Sequence, residues 1–518
     1  MMTFALLHLN AWTWTVCGVA IAYFARTYVS ARRQRARLPP GPTPLPLIGN
    51  VLDMPRKHLA RDFAALSEKY GNVVHLNVLG QPVIILGSYQ AACDLLEKRS
   101  SNYSDRPSSM MVKLCGFGWL FALMNYGQEW RQHRRAFHQQ MGADVITQYE
   151  PIELRTSRQL LKHLLRSPKD LEAHVKFAFA STVMRIVYGI DLEEPQGRYF
   201  DTVERMASVG AEVGVPGRFP VESLPFLRFI PAWCPGGGFK RWAVEVKRDL
   251  AQGRNYLWDS AKAAMDEGAV QDSFVTRFMD SLPTDPKEAE EAEERYRGVT
   301  ATAYVAGAET TNSALQAFFL AMAMYPLVQK KAQQELETVL GFGRLPEFSD
   351  RPSLPYIQAI VKELLRWHSV TPLGMPHRAV ADDEYKGYFI PEGAWVIANI
   401  RAMARDPVLY PDPDNFVPER FIKDGGFELE GRDPAEYAFG FGRRICPGRS
   451  FAESSLFILC ASILSVFDIS APSDSTGTPI QLEHDDTTLS LVSHPELHDY
   501  MIRPRSDRAE QLIHTGVA

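Results

Sequence analysis

Residues 439–448 read FGFGRRICPG, a glycine-rich and basic loop that contains one cysteine, Cys446. An apolar run follows it directly, and we predict a helix there from Ser450 to Phe467. A cysteine just before a helix N-terminus faces unpaired backbone N–H groups and the positive end of the helix dipole. Both favour the thiolate over the thiol, so we expect Cys446 to be a thiolate.

The other residues of this loop suit a flat ligand that carries carboxylates. Gly442 and Gly448 allow backbone conformations that other residues cannot take, and they let a planar group approach closely. Arg443 and Arg444 supply cationic donors for carboxylates. A thiolate, room for a plane and a carboxylate-binding arginine together suggest haem held by Cys446. The alternative is a structural cysteine buried in a turn, which is the favoured interpretation of a lone cysteine.

The composition of the chain excludes several classes of protein. Its 518 residues carry a formal net charge of −5, and no basic domain with interleaved aromatic residues is found, so nucleic-acid binding is not expected. The six cysteines are scattered without a C-x-x-C pair, which argues against a disulfide framework or a zinc ribbon and fits a reducing compartment. Because no Gly-Lys-Ser/Thr or Gly-x-Gly-x-x-Gly loop is present, we do not expect the chain itself to bind NADPH or flavin.

The first 50 residues are predicted to lie outside the large domain. Phe4 to Ala25 is a mostly apolar run that is long enough to span a bilayer as a helix. Five arginines follow it before Asp53, the first acidic residue. Because positive charge after the apolar run keeps that side cytosolic, we predict an uncleaved signal anchor at 1–25 rather than a cleavable signal peptide. A basic and proline-rich hinge at 26–50 then leads into a domain at 51–518.

Two predicted helices carry polar side chains beside apolar faces, and these polar groups would need hydrogen-bond or ion-pair partners if they were buried. Trp130 and Arg134 are four residues apart and share one helix face; the alternative is a basic surface helix with a tryptophan anchor. A long apolar helix is predicted from Arg297 to Met324, and residues 306–311 within it read AGAETT. A carboxylate and hydroxyls are costly there if they are buried without partners. The alternative is that the hydroxyls bond back to the i−4 carbonyl groups.

A stretch from Val213 to Phe239 is rich in proline, glycine and aromatic residues. This composition predicts a loop, but one that is more apolar than a solvated loop. An exposed apolar loop indicates membrane or partner contact, and the alternative is a loop packed on the core.

Taken together, these segments resemble the cytochrome P-450 family, from the proline-rich hinge to beyond Cys446. The resemblance includes the ligand motif Phe-x-x-Gly-x-Arg-x-Cys-x-Gly, and no motif position departs from the family pattern. Five family segments occur in the family's order: WRQHR at 130–134, AGAETT at 306–311, ELLR at 363–366, NFVPERF at 415–421 and FGFGRRICPG at 439–448.

The resemblance implies a mainly α fold with small β-sheets, a single large haem-binding domain behind an N-terminal transmembrane helix. It implies haem b as cofactor, with Cys446 as the axial thiolate ligand of the iron. The family's haem propionates are bound by residues that match Trp130, Arg134, Arg444 and His377, with Arg378 in reserve for His377. Further haem contacts are implied for Phe439, Gly440, Gly442, Gly448, Ala306 and Gly307, the last two leaving space above the iron.

The resemblance also implies which residues take part in the reaction and which ones support the fold. Glu309 and Thr310 match the family's acid–alcohol pair, which relays protons to dioxygen. Glu363, Arg366 and Arg420 match a buried charge network that holds the core around the haem and has a structural role.

The implied activity is that of a haem-thiolate monooxygenase that inserts one oxygen atom from O2 into a lipophilic small molecule. Electrons are expected from NADPH through the membrane-bound NADPH–cytochrome reductase, with cytochrome b5 as a further candidate partner. The finer wording resembles fungal, basidiomycete-like microsomal members of natural-product pathways, including O-methylsterigmatocystin oxidoreductase-like members. That predicts a terpenoid, polyketide or aromatic substrate, with pocket-lining residues at Val370 to Met375 and at a β-hairpin tip from Thr488 to Val492.

The expected location is the endoplasmic reticulum membrane, single-pass, with the catalytic domain cytosolic and the loop from Val213 to Phe239 also contacting the membrane. One alternative function is a haem-thiolate isomerase, dehydratase or peroxygenase. An alternative of another class is a membrane-anchored haem sensor or binding protein, which would need neither a proton relay nor an apolar access loop.

Overall fold

The computed structural model describes residues 37–516, apart from Arg56, residues 193–196, 214–217, Val270, Phe342, Glu430 and residues 486–489. The predicted anchor at 1–25 and the hinge up to residue 36 lie outside the described residues. Helices dominate the described chain, in agreement with the predicted fold class. Their bounds are α1 Leu59–Tyr70, α2 Tyr89–Ala92, α3 Ser100–Tyr103, α4 Met110–Leu114, α5 Gln128–Met141, α6 Glu150–Arg166, α7 Leu171–Tyr188, α8 Arg198–Val213, α9 Pro220–Ser223, α10 Gly238–Asp266, α11 Phe274–Asp280, α12 Pro286–Met324, α13 Pro326–Leu340, α14 Pro355–Trp367, α15 Ile400–Ala404, α16 Ala435–Ala438, α17 Arg449–Val466 and α18 Asp507–Thr515.

The sheets are small, and the largest has four strands in the order β1-β2-β6-β3. Its first two strands form a hairpin, with Val73 opposite Leu86. Leu79 and Gly80 both have positive φ and form the turn. The strands are β1 Val73–Val78, β2 Gln81–Leu86, β3 His377–Arg378, β4 Asp383–Tyr385, β5 Tyr388–Ile390, β6 Trp395–Ala398, β7 Ile422–Lys423, β8 Gly426–Phe427, β9 Phe467–Ser470 and β10 Met501–Pro504.

Helix α12 runs through the centre of the molecule and begins earlier than predicted. Asp285 caps it by accepting hydrogen bonds from the backbone N–H groups of Lys287 and Glu288, and Pro286 occupies the first helical position. The acidic run from Lys287 to Glu294 therefore forms its first turns. The helix ends at Met324, because the next residue precedes Pro326. It packs against α5, α7, α8 and α17.

Helix α17 follows the cysteine loop and is apolar on all sides. It packs against α6, α13 and α14, which together with α12 enclose one hydrophobic core. Within the described chain, it is the one helix that is long and apolar enough to cross a membrane, and most of it is buried in the protein.

Helix α2 is followed directly by a π-helical segment, Cys93–Glu97. The loop expected from Val213 to Phe239 contains α9 and a 3-10 turn, Pro225–Phe229. The side chains of Phe226, Phe229 and Trp233 are exposed, whereas Val221 is buried and Phe219 and Leu227 pack against the core. The segment therefore combines exposed aromatic surface with contacts to the core.

Candidate functional site

The cysteine loop is closed by its own backbone. The Cys446 N–H donates to the Phe439 carbonyl at 2.8 Å, and the Gly440 N–H donates to the Tyr437 carbonyl at 3.0 Å. Residues 442–444 make one 3-10 turn, and α17 begins at Arg449. These bonds lie within a short stretch of chain, which is why the motif alone predicts the shape of the loop.

The two glycines of the motif have different roles. Gly442 has a φ of +56°, and an added Cβ would lie 2.2 Å from the Leu96 carbonyl oxygen, so only glycine fits where the loop meets the π-helical segment. Gly448 has an ordinary φ of −93°, so the expected special conformation is wrong there. Its Cβ would lie 4.0 Å from the Cys446 Sγ, so this glycine keeps space beside the sulfur.

The Cys446 thiol does not match the thiolate expected from the helix terminus. Burial raises its pKa above the ordinary value, although the Gly448 N–H, Arg134 and Arg449 act in the opposite direction. The side chain is nevertheless accessible at the surface. Protein surrounds the sulfur while one side of it stays open, as for a side chain that lines an internal cleft. A metal ion bound on that open side would itself deprotonate the thiol.

Arg444 is a buried cation next to the cysteine. It donates from Nε to the Ser104 carbonyl at 2.7 Å and from Nη2 to the Met124 carbonyl at 2.6 Å. Its guanidinium also lies 4.4 Å from the ring centroid of Trp130. Burial lowers its pKa to about 10, and the neighbouring Arg134 adds to this effect. The structure therefore brings together Arg444, Trp130 and Arg134, as the sequence predicted.

Arg106 belongs to the same cationic group, and the sequence reasoning missed it. It is buried and donates from Nη1 to the carbonyls of Met375 and Pro376 at 2.7 and 2.8 Å. Burial, together with the charge of Arg444, lowers its pKa to about 9. The sequence shows only an arginine before a proline, which does not signal burial, so no pattern could have identified it.

His377 lies in strand β3, next to this group of arginines. It is buried, and its Nδ1–H donates to the Tyr103 carbonyl at 2.6 Å. Burial, Arg106 and Arg444 hold its pKa well below the usual range, so the ring is neutral. Arg378, the reserve choice, instead forms an ion pair with Asp105 at 2.6 Å.

These groups fit the haem that the sequence suggests. Three arginines and a histidine lie close enough to lower one another's pKa values, so the region carries excess positive charge. Among the described residues, the Arg134 guanidinium has no recorded hydrogen-bond or ion-pair partner, and burial lowers its pKa. Buried cations of this kind are stabilised by anions. Two propionates beside an accessible cysteine sulfur meet that need, with Arg106, Arg134 and Arg444 as the cations that would hold them.

Helix α12 carries the second half of the site. Ala306 is exposed although it lies in the middle of this mostly buried helix, so it faces a cleft. Gly307 differs from the expectation: an added Cβ would make ordinary contact with Val183 of α7, at 3.7 Å, so its open side faces that helix. The Thr310 hydroxyl donates to the Ala306 carbonyl at 2.9 Å, which is the back-bonding alternative weighed from the sequence.

Glu309 points to a different partner from the one expected. Its Oε1 lies 2.9 Å from Nε2 of His494, and this contact, together with Lys176, lowers the pKa of the carboxyl group although burial acts against it. Among the described residues, no hydrogen bond joins the side chains of Glu309 and Thr310. Thr488 and Leu489 of the predicted hairpin tip, Thr488 to Val492, lie outside the described residues, and the described residues 490–500 contain no strand. His494 lies beyond that predicted segment and was missed.

The charge network lies apart from the cleft, in the interior. Glu363 and Arg366 are fully buried and form two hydrogen bonds of 2.7 Å each. Arg420 lies 3.4 Å from Glu363, whose Oε1 also accepts from the Val417 N–H at 2.7 Å. Arg366 donates further to the carbonyls of Ala404, Pro413 and Asn415. The network thereby joins α14 to the meander at 413–420.

Comparison with known proteins agrees with this geometry. The model of the family described as cytochrome P-450 matches residues 39–500. The chain is 40% identical to cytochrome P-450 monooxygenase COX1 of Coprinopsis cinerea, over 96% of this chain and 97% of the relative. It is 40% identical to cytochrome P-450 monooxygenase ple1 of Rhodocybe pseudopiperita, over 96% and 94%.

A third relative is named for its reaction. The chain is 39% identical to the tryptamine 4-monooxygenase of Psilocybe cyanescens, over 92% of this chain and 95% of the relative. The family match covers both the cysteine loop and the AGAETT helix. The chain therefore belongs to the cytochrome P-450 family and is a haem-binding monooxygenase of that family.

Proposed function

We propose that this monooxygenase inserts one oxygen atom from O2 into a lipophilic small molecule of fungal secondary metabolism. Haem bound through Cys446 would supply the oxygen activation, because a thiolate ligand favours O–O cleavage. Arg106, Arg134 and Arg444 would hold the propionates, and Ala306 would face the reacting side.

The observation that carries this proposal is the polar pair on the central helix. Glu309 and Thr310 follow the exposed Ala306 within four residues, and the Thr310 hydroxyl is held on the Ala306 carbonyl at 2.9 Å. Oxygen cleavage consumes protons, so a monooxygenase needs a proton source beside the oxygen. A haem sensor or a haem-thiolate isomerase has no such need, which is why this pair favours the monooxygenase reaction.

The apolar surroundings and the relatives support a lipophilic substrate. Phe226, Phe229 and Trp233 expose aromatic surface between α8 and α10, a composition that suits contact with a membrane and uptake of an apolar compound. The name of the Psilocybe cyanescens relative, tryptamine 4-monooxygenase, specifies an aromatic amine. Among the terpenoid, polyketide and aromatic substrates that the sequence predicts, this name favours an aromatic one for this chain.

The electrons would come from an NADPH–cytochrome reductase with an acidic docking surface. Arg131 and Arg443 are exposed and both lie against the Tyr126 ring, at 5.6 and 5.2 Å from its centroid, and Arg135 is exposed on the same helix as Arg131. Charge reversal at all three should slow the first electron transfer and flatten its dependence on salt. An unchanged rate and salt dependence would contradict this docking surface.

The anchor at 1–25 and the hinge at 26–50 would place the catalytic domain at 51–518 on the cytosolic face of the endoplasmic reticulum. The apolar run from Phe4 to Ala25 and the arginines behind it support this location.

The test is expression of the full chain with a reductase under labelled dioxygen, followed by metabolite profiling. Products should carry one labelled oxygen atom. Thr310→Ala should retain the haem spectrum and lower the product formed per NADPH. Thr302→Ala is the matched control, because Thr302 makes the same back-bond, to the Gly298 carbonyl at 2.8 Å. Unlabelled products, or equal coupling in both variants, would contradict the proposal.

A further inference from the structure

Glu309 is held by a histidine from a remote part of the chain. The His494 Nε2 lies 2.9 Å from Glu309 Oε1, and both side chains are partly exposed, 31% and 27%. Neither the loop nor the helix motif predicts this partner. A carboxylate and an imidazole at this distance can share one proton.

The second nitrogen of His494 is oriented by two buried amides. Its Nδ1 donates to Gln316 Oε1 at 3.4 Å, while the Gln316 Nε2 donates to Asn312 Oδ1 at 3.1 Å. Asn312 thereby turns the carbonyl end of Gln316 towards the histidine. Because an amide oxygen only accepts, Nδ1 keeps its hydrogen, and Nε2 is the atom that exchanges a proton with Glu309.

The backbone of the histidine segment is fixed on both sides. The Ser493 N–H donates to the Val370 carbonyl at 2.8 Å. The Ser493 carbonyl accepts from the Ser313 hydroxyl of α12, one turn after Glu309. His494 therefore stays in register with the helix that carries its partner, as a positioning residue requires.

Other charged groups face Glu309 from the neighbouring helices. Lys176 of α7 favours the carboxylate, and it is itself paired with Glu172 at 2.9 Å and with Glu204 of α8 at 3.9 Å. Tyr304 lies on the same helix as Glu309, and the carboxylate charge raises the pKa of its hydroxyl. Because Lys176 is paired with Glu172 and Glu204, the direct hydrogen bond of Glu309 is to His494.

We propose that His494 is a positioning residue that supplies protons through Glu309. Glu309 gives a proton to a water molecule in the cleft and becomes a carboxylate. The Nε2–H bond of His494 then breaks, an O–H bond forms at Glu309 Oε1, and the imidazole becomes neutral. A proton from the bulk solvent then binds Nε2 at the exposed edge of the ring, so each cycle moves one solvent proton into the cleft. The inference rests on the proposed monooxygenase reaction, which would consume the protons, and on the 2.9 Å contact between His494 and Glu309, through which they would pass.

The first test observes the pair without turnover. In the full haem-loaded chain, as the ferrous carbonyl complex, histidine is labelled with 13C at Cε1, and the His494 signal is assigned by its loss in His494→Gln. At neutral pH the signal should lie nearer the imidazolium position in wild type than in Glu309→Gln. Glu204→Gln, which removes a carboxylate not bonded to His494, should leave it unmoved. An identical signal in wild type and Glu309→Gln would overturn the inference.

The second test measures coupling. His494→Gln should form at least several-fold less product per NADPH than wild type, with an unchanged KM. Equal coupling in the two proteins would overturn proton supply by His494. Failure of the proposed function is distinguishable, because it appears as unlabelled product from wild type while the signal still responds to Glu309→Gln.

Discussion

Two regions of the molecule hold a glutamate in opposite ways. In the interior, apart from the cleft, the network of Glu363, Arg366 and Arg420 keeps the Glu363 carboxylate fully buried and bonded to two arginines and a backbone N–H. On the oxygen side, which comprises residues 306–316 and His494, Glu309 is partly exposed and bonded to one histidine. Many fixed bonds make a scaffold, whereas one exchangeable bond allows a proton to move.

The substitution with the largest expected effect on stability is Arg366→Leu. It leaves the Glu363 carboxylate buried without its bidentate partner, which typically costs about 3–5 kcal/mol. The measurement is the unfolding midpoint of the haem-loaded chain in urea, and we expect a large loss of folded holoprotein.

The matched change on the oxygen side is His494→Leu. Because Glu309 is partly exposed and can be hydrated, this substitution should lower the free energy of unfolding by about 1 kcal/mol or less. Equal losses from the two variants would contradict the distinction between a scaffold and a proton-exchanging side.

A smaller effect is expected from the two loop glycines. Gly442→Ala forces a left-handed alanine, which costs about 1–2 kcal/mol, and brings its Cβ against the Leu96 carbonyl. Gly448→Ala has an ordinary φ and should fold, with a displaced Soret band because its Cβ lies beside the sulfur. The measurements are thermal unfolding and the absorption spectrum. A stable Gly442→Ala variant would show that the loop is less tightly fixed than its contacts indicate.

A pH-dependent effect is expected at Glu153, a buried carboxyl behind the cysteine loop. It accepts hydrogen bonds from Ser454 at 2.8 Å and from Ser455, both on α17, yet burial raises its pKa to about 7. The folded protein then holds a proton that the unfolded chain has lost, so stability falls as pH rises from about 4.5 to about 7.

Glu153→Gln should remove that decline and stabilise the protein above neutral pH by up to about 3 kcal/mol. The measurement is the free energy of unfolding against pH for both proteins. Parallel curves would show that Glu153 does not titrate in this range.

The parts of the fold that the sequence predicted are those fixed by local bonds. Residues 439–448 close on themselves, and Glu363 and Arg366 lie on one helix face, so spacing alone indicates their geometry. The missed residues, Arg106 and His494, meet the site from remote positions in the chain. Their contacts are with backbone carbonyls or a single side chain, and no periodicity records such pairings.

The protonation state of the Cys446 thiol could not be predicted from local sequence either. The helix terminus and arginines that favour a thiolate are visible in the sequence, but the burial that opposes them depends on the packing of the whole domain. Likewise, the sequence shows that Gly307 lacks a side chain, but not that its open side faces Val183.

The most direct test of the central claim, ligation of haem iron by Cys446, is the spectrum of the reduced, carbon monoxide-bound full chain. Wild type should show the Soret band of a thiolate-ligated haem, and Cys446→Ala should lose it while circular dichroism remains unchanged. Cys460→Ala, which removes the buried cysteine of α17, should keep the band. A haem-loaded wild type without the thiolate band, or a Cys446→Ala variant that retains it, would contradict the claim.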